Sequence, residues 1–160
     1  MKIEEVDVSV PEGHQLILGQ AHFIKTVEDL YETLATSMPG IRFGVAFCEA
    51  SGKSLVRSDG SDDGCVRVAV EVARRVGAGH VFCVVLAGAY PINVLNRVKQ
   101  VEEVAAVFCA PANPVTVAVG DSGKGRGILG VIDGGYLKGE EGPDDREERR
   151  GLLRKIGYKR

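Results

Sequence analysis

Val6, Val8 and Val10 alternate with Asp7 and Ser9, a period of two that predicts a half-buried strand. Pro11-Glu12-Gly13 then turns the chain towards residues 15–19, expected as the hairpin partner of that strand. Val27, Leu30, Tyr31 and Leu34 fall on one face at helical spacing and predict a helix over 26–37, with Thr26 as its N-cap and Pro39-Gly40 as its stop. Residues 41–48 are an apolar run bounded by turn residues, read as a buried strand; a polar loop over 49–53 and a short strand at 55–57 follow. Ser61-Asp62-Asp63 caps a second helix whose Val66, Ala69, Val70, Ala73 and Val76 form an apolar stripe, ending in Arg74, Arg75 and Gly77. Residues 80–86 are almost continuously apolar and suit a central strand covered on both faces. Pro91 opens a third helix that ends near Lys99. Strands at 105–109 and 115–119 flank a proline-rich connection, and a glycine-rich turn leads into another strand at 128–132.

Helices alternate with strands through the middle while strand pairs occupy the ends, so the expected fold is α/β, with a mixed β-sheet layered by helices. One domain is expected over 1–137, with a charged tail over 138–160 that carries a short helix and is mobile or docked on a partner subunit. The hydrophobic fraction of 44% and net charge of -2 describe an ordinary globular chain with no general basic field, which argues against nucleic acid as a partner. Charged residues and glycines interrupt every apolar run before it could span a bilayer, and the first residues lack the apolar core of a signal peptide, so the expectation is a cytoplasmic protein with no membrane partner. Cys48, Cys65, Cys83 and Cys109 are too widely spaced for a zinc site or a Cys-x-x-Cys motif, and no metal or cofactor is identified.

Chemistry concentrates where an apolar run gives way to His22 and Lys25 just before the helix start at Thr26. A neutral imidazole can attack phosphorus, a lysine can stabilise the resulting charge, and the free N–H groups of a first helical turn favour an anion. The competing structural role is a strand ending in surface polar residues. His80 is the rival histidine, placed second because it begins its strand, whereas ligands of open α/β sheets gather beyond the strands' carboxyl ends. His14 lies in a turn. Ser51-Gly52-Lys53-Ser54 is not a P-loop, because Phe47 stands where that pattern requires glycine. Residues 125–130 match Gly-x-Gly-x-x-Gly, but they precede a strand and read as a turn in which Arg126 and Lys124 offer a supporting phosphate contact. Tyr90 beside a helix start, with Asn93 and Asn96 one turn apart, could stack on and read a purine, or could simply cap and face water.

Five ordered blocks carry a resemblance: residues 18–30, 43–53, 91–96, 108–115 and 125–134. Together they are similar to the adenosine-specific kinase family of small prokaryotic proteins. The resemblance implies a three-layer α/β/α sandwich, binding of adenosine or AMP, a phosphorylated histidine and a homo-oligomer, trimer-based in its assembly. His22, in the intact Gly-Gln-x-His-Phe-Ile-Lys-Thr block with Gln20, Lys25 and Thr26, is the histidine that carries over. Glu49, Ser51, Tyr90, Asn93, Asn96, Asn113, Arg126 and Asp133 are the further expected ligand contacts. Neither a P-loop nor a kinase signature set accompanies them, so the expected activity is an adenosine or AMP phosphotransferase working through phosphohistidine. A non-catalytic adenosine or AMP sensor is the alternative, and an oligomeric scaffold with an incidental anion site a third reading.

Overall fold

A computed structural model describes residues 1–160 as eight strands and four helices. The strands are β1 (Lys2–Val8), β2 (His14–Ala21), β3 (Arg42–Cys48), β4 (Val56–Gly60), β5 (Val81–Ala87), β6 (Val104–Cys109), β7 (Val115–Asp121) and β8 (Arg126–Asp133). The helices are α1 (Thr26–Ala35), α2 (Asp63–Val76), α3 (Pro91–Lys99) and α4 (Pro143–Lys155). The strands form a five-stranded sheet in the order β4-β3-β5-β2-β6 and a three-stranded sheet in the order β1-β7-β8.

The continuous apolar run predicted as a central strand is β5, buried along its whole length between β3 and β2. Side chains alternate across it. Phe82, Val84 and Leu86 point into a core with Val27, Leu30 and Leu34 of α1 and Val94 and Val98 of α3. Cys83 and Val85 point the other way, towards Cys65, Ala69, Val72 and Val76 of α2 and Val8, Val115, Val117 and Val119 of the smaller sheet. The molecule is therefore a single three-layer α/β domain, with α1 and α3 on one face of the central sheet and α2 with the small sheet on the other.

Two expectations change. All strand pairs are antiparallel, in two sheets, where one mixed sheet was expected. Val6 and Val8 do belong to a strand, but β1 pairs with β7 and not with β2, placing Lys2 opposite Asp121 and Val8 opposite Val115. A valine alternation specifies a half-buried strand without specifying its partner, and the turn at Pro11 carries the chain from one sheet to the other.

Local signals fare better. Asp62 caps α2 by accepting the Cys65 N–H at 2.9 Å, and Gly77 closes the helix in the left-handed region with φ 59°. Pro91 is the first residue of α3. The tail forms a longer helix than the pattern predicts, and no residue of α4 is buried.

Candidate functional site

Because β5 runs antiparallel to both β2 and β3, its start lies beside their ends. His22 after β2, His80 before β5, Glu49 after β3 and Glu103 before β6 therefore form a row along one end of the central sheet. Main-chain hydrogen bonds stitch that row: Ala21 N–H donates to His80 O at 2.9 Å, and His80 N–H to Cys48 O at 2.7 Å. The rule that demoted His80 applies to parallel sheets; here both histidines occupy the same end.

His22 is exposed, and its Nδ1 lies 3.0 Å from the main-chain oxygen of Glu103, which also accepts the His22 N–H at 3.1 Å. A carbonyl oxygen only accepts, so Nδ1 carries a proton, and in the neutral ring the lone pair falls on Nε2. Lys25 donates to Asp29 one turn ahead and, at 3.0 Å, to Glu103 Oε1. These hydrogen bonds, Asp29's first and then Glu103's, raise the Lys25 pKa and hold the ammonium charged.

Thr26 is not an N-cap. It is the first residue of α1, fully buried, with its hydroxyl donating to Phe23 O, and Lys25 occupies the cap position without a side-chain capping bond. The N–H groups of Thr26, Val27, Glu28 and Asp29 are all spent on the carbonyls of Phe23, Ile24 and Lys25. The first turn of α1 thus offers no free donors to an anion.

Two strands away from His22, roughly 10 Å at ordinary strand spacing, Glu49 Oε2 accepts from Arg57 at 2.9 Å and from the Leu55 N–H at 3.3 Å. Burial pushes its carboxyl up, but these donors outweigh it and hold Glu49 below the usual carboxylate range. Glu49 lines a cavity of about 580 Å³ with Arg74, Lys124 and Arg126 at the C-terminus of α2. Arg126 is anchored by Glu4 at 2.9 Å and accepts the Gly79 N–H on its carbonyl at 3.3 Å. Ser51 is exposed on the adjoining loop, and Gln20 is exposed near the end of β2, just ahead of His22.

The remaining expected contacts lie at the other end of the sheet. Tyr90 and Asn93 follow β5, Asn96 is one turn further along α3, Asn113 follows β6, and Asp133 closes β8 opposite Val115. The seven residues of β5, roughly 23 Å of extended chain, separate this group from His22. Asn93 Oδ1 accepts the Tyr90 N–H at 2.9 Å, so one face of that side chain already serves the start of α3. Tyr90 lines a second cavity of about 580 Å³ with Pro91, Ile92, Pro111 and, from the tail, Ile156 and Tyr158.

The sequence model described as adenosine specific kinase matches residues 6–159. The chain belongs to this family. The adenosine specific kinase match runs through α4, which places the charged tail inside the shared sequence. Among solved structures, the PH1918 protein from Pyrococcus horikoshii OT3 is similar at 43% identity and TM-score 0.94, covering 99% of this chain and 98% of that one. A search of curated proteins finds no match.

Within this family fold, sequence reasoning had passed over Glu103. Glu103 belongs to no motif in the sequence, yet it is only 4% exposed. The cysteines are settled as packing residues: Cys83 is fully buried, and burial pushes Cys48, Cys65 and Cys109 up to about 11. No helix is long and apolar enough to cross a membrane.

Proposed function

We propose that this chain transfers a phosphoryl group to or from adenosine through His22, a finer reading of its family membership. The observation that carries it is the Nδ1 contact with Glu103 O at 3.0 Å on an exposed histidine, which leaves Nε2 as the nitrogen to act as nucleophile. In this reading Nε2 attacks the phosphorus of a phosphate ester or anhydride. A P–N bond forms as the P–O bond breaks, and the leaving oxygen takes up a proton. In the second step the 5′-hydroxyl oxygen of adenosine attacks that phosphorus, the P–N bond breaks to return the electron pair to Nε2, the hydroxyl proton is released to solvent, and AMP forms.

Lys25 has three N–H donors; Asp29 and Glu103 engage two, and the third is available to a phosphoryl oxygen. The cavity holding Glu49, Arg74, Lys124 and Arg126 supports nucleotide binding at the same sheet end, and in this reading the exposed Ser51 and Gln20 add contacts from that end. Tyr90, Asn93, Asn96, Asn113 and Asp133 could join His22 only from a neighbouring copy, as a trimer-based homo-oligomer would allow. Exposed Ile3, Leu129 and Ile132 on the small sheet favour such an assembly.

Intact mass and phosphorus NMR on wild type and His22→Ala test the carrier; a phosphohistidine signal surviving in the variant rules out His22. Calorimetry of AMP with Arg126→Ala and Tyr90→Ala separates the two recognition surfaces. Activity restored by mixing His22→Ala with Tyr90→Ala protein identifies a shared site. AMP binding with no phosphoryl transfer selects the sensor reading.

A further inference from the structure

Glu103 touches both groups through different atoms. Its main-chain oxygen takes two hydrogen bonds from His22, and its carboxylate, 5% exposed, takes one from Lys25 at 3.0 Å. The second carboxylate oxygen, Oε2, is sealed from solvent and has no partner. A buried carboxylate with half its acceptor capacity unused depends on its one cation. The Lys25 side chain, by contrast, is 50% exposed and would sample many rotamers without fixed acceptors.

We infer that Glu103 is the positioning residue of the site, clamping the His22 imidazole with its backbone and the Lys25 ammonium with its buried side chain as one unit. This rests on the reading of His22 as phosphoryl carrier. A base role does not fit the geometry, because Oε2 is closed off from any substrate hydroxyl. The turn over residues 101–103 that presents Glu103 is tied to α3 by the Val101 N–H donating to Val98 O at 3.2 Å, and leads into β6 through Val104 N–H donating to Val101 O at 3.0 Å. The clamp therefore sits on a short turn held at both ends, by α3 on one side and by the start of β6 on the other.

The test uses full-length wild type, Glu103→Gln and Glu103→Ala, with three readouts. Nitrogen NMR of the imidazoles, with His22 assigned from His22→Ala, reports the tautomer; the Nδ1–H form is expected in wild type and in Glu103→Gln, whose backbone is unchanged. Titration of the Lys25 side chain reports the anchor, and its midpoint is expected to fall in both variants. The rate of phosphohistidine formation is expected to fall roughly tenfold to a hundredfold as the ammonium loses its place. An unchanged Lys25 midpoint in Glu103→Gln overturns the clamp, as does an unchanged rate. If Glu103→Ala fails to fold, Glu103→Gln decides. If wild type forms no phosphohistidine, the carrier reading fails, while tautomer and titration still decide whether Glu103 clamps the pair.

Discussion

The imidazole of His80 stacks on the ring of Phe47, with centroids 5.9 Å apart and planes 8° apart. Phe47 is a core residue beneath α1, so the stack fixes the second histidine of the sheet end against the interior. His80 also holds φ at 60°, a left-handed conformation that asparagine and glycine accept and β-branched residues resist. His80→Asn should fold near wild-type stability, whereas His80→Val should lose about 1–3 kcal/mol. Urea unfolding of the two variants measures the difference, and the phosphohistidine signal should persist in His80→Asn.

Glu49 provides a test of pH dependence. Its folded pKa is lowered, so its contribution to stability is present above the unfolded value near 4.5 and is lost as pH falls through the folded value. Wild type should melt above Glu49→Gln at neutral pH, and the gap should close as the solution is acidified below pH 4.5. Thermal melts across an acid series read this directly. Equal gaps at all pH values would show that the carboxylate charge is not what Arg57 and Leu55 hold.

Gly44 of β3 lies directly beneath α2, and a methyl group there would overlap the backbone of Cys65 and Val66. Because backbone, not a flexible side-chain tip, occupies that space, the helix must move to admit it. Gly44→Ala should cost about 3 kcal/mol or prevent folding, at the upper end of overpacking effects. Gly130→Ala, where nothing lies within 4 Å, is the matched control and should be close to neutral. Chemical denaturation of both checks the contrast.

All four cysteines are free; Cys48, Cys65 and Cys83 are buried and Cys109 is half-buried. Their raised pKa values leave little thiolate at pH 8. Alkylation of the native protein should be slow at every site, with Cys109 modified first. Peptide mapping after timed exposure to iodoacetamide gives the order.

Much of the fold is legible residue by residue. Apolar continuity marks β5, the stripe from Val66 to Val76 marks α2, and Asp62 and Gly77 bound it, because each is a local consequence of periodicity or capping. Pairing is not local: β1 lies next to β7, more than a hundred residues away, and no pattern in Val6 to Val10 names that partner. Direction is equally hidden. The carboxyl-end rule ranked His80 second because it begins its strand, and the antiparallel register brings that start beside His22 at the end of β2. Thr26 followed cap chemistry as a residue type, but a turn starting at Phe23 precedes it and buries its hydroxyl. Glu103 was invisible because burial of a glutamate is decided by what packs around it, here the end of the central sheet and Lys25.

The pairing of Lys2–Val8 with the far-off Val115–Asp121 also bears on how the chain is made. During synthesis the first strand leaves the ribosome long before its only neighbour exists. Val6 and Val8 must wait, unpaired, until about residue 121 has emerged. The five-stranded sheet, complete at Cys109, can form earlier and offer those valines a surface. Closure of the small sheet is then a late step, and a stalled chain ending before β7 would leave the backbone of β1 without its strand partner, an open edge for pairing with other chains.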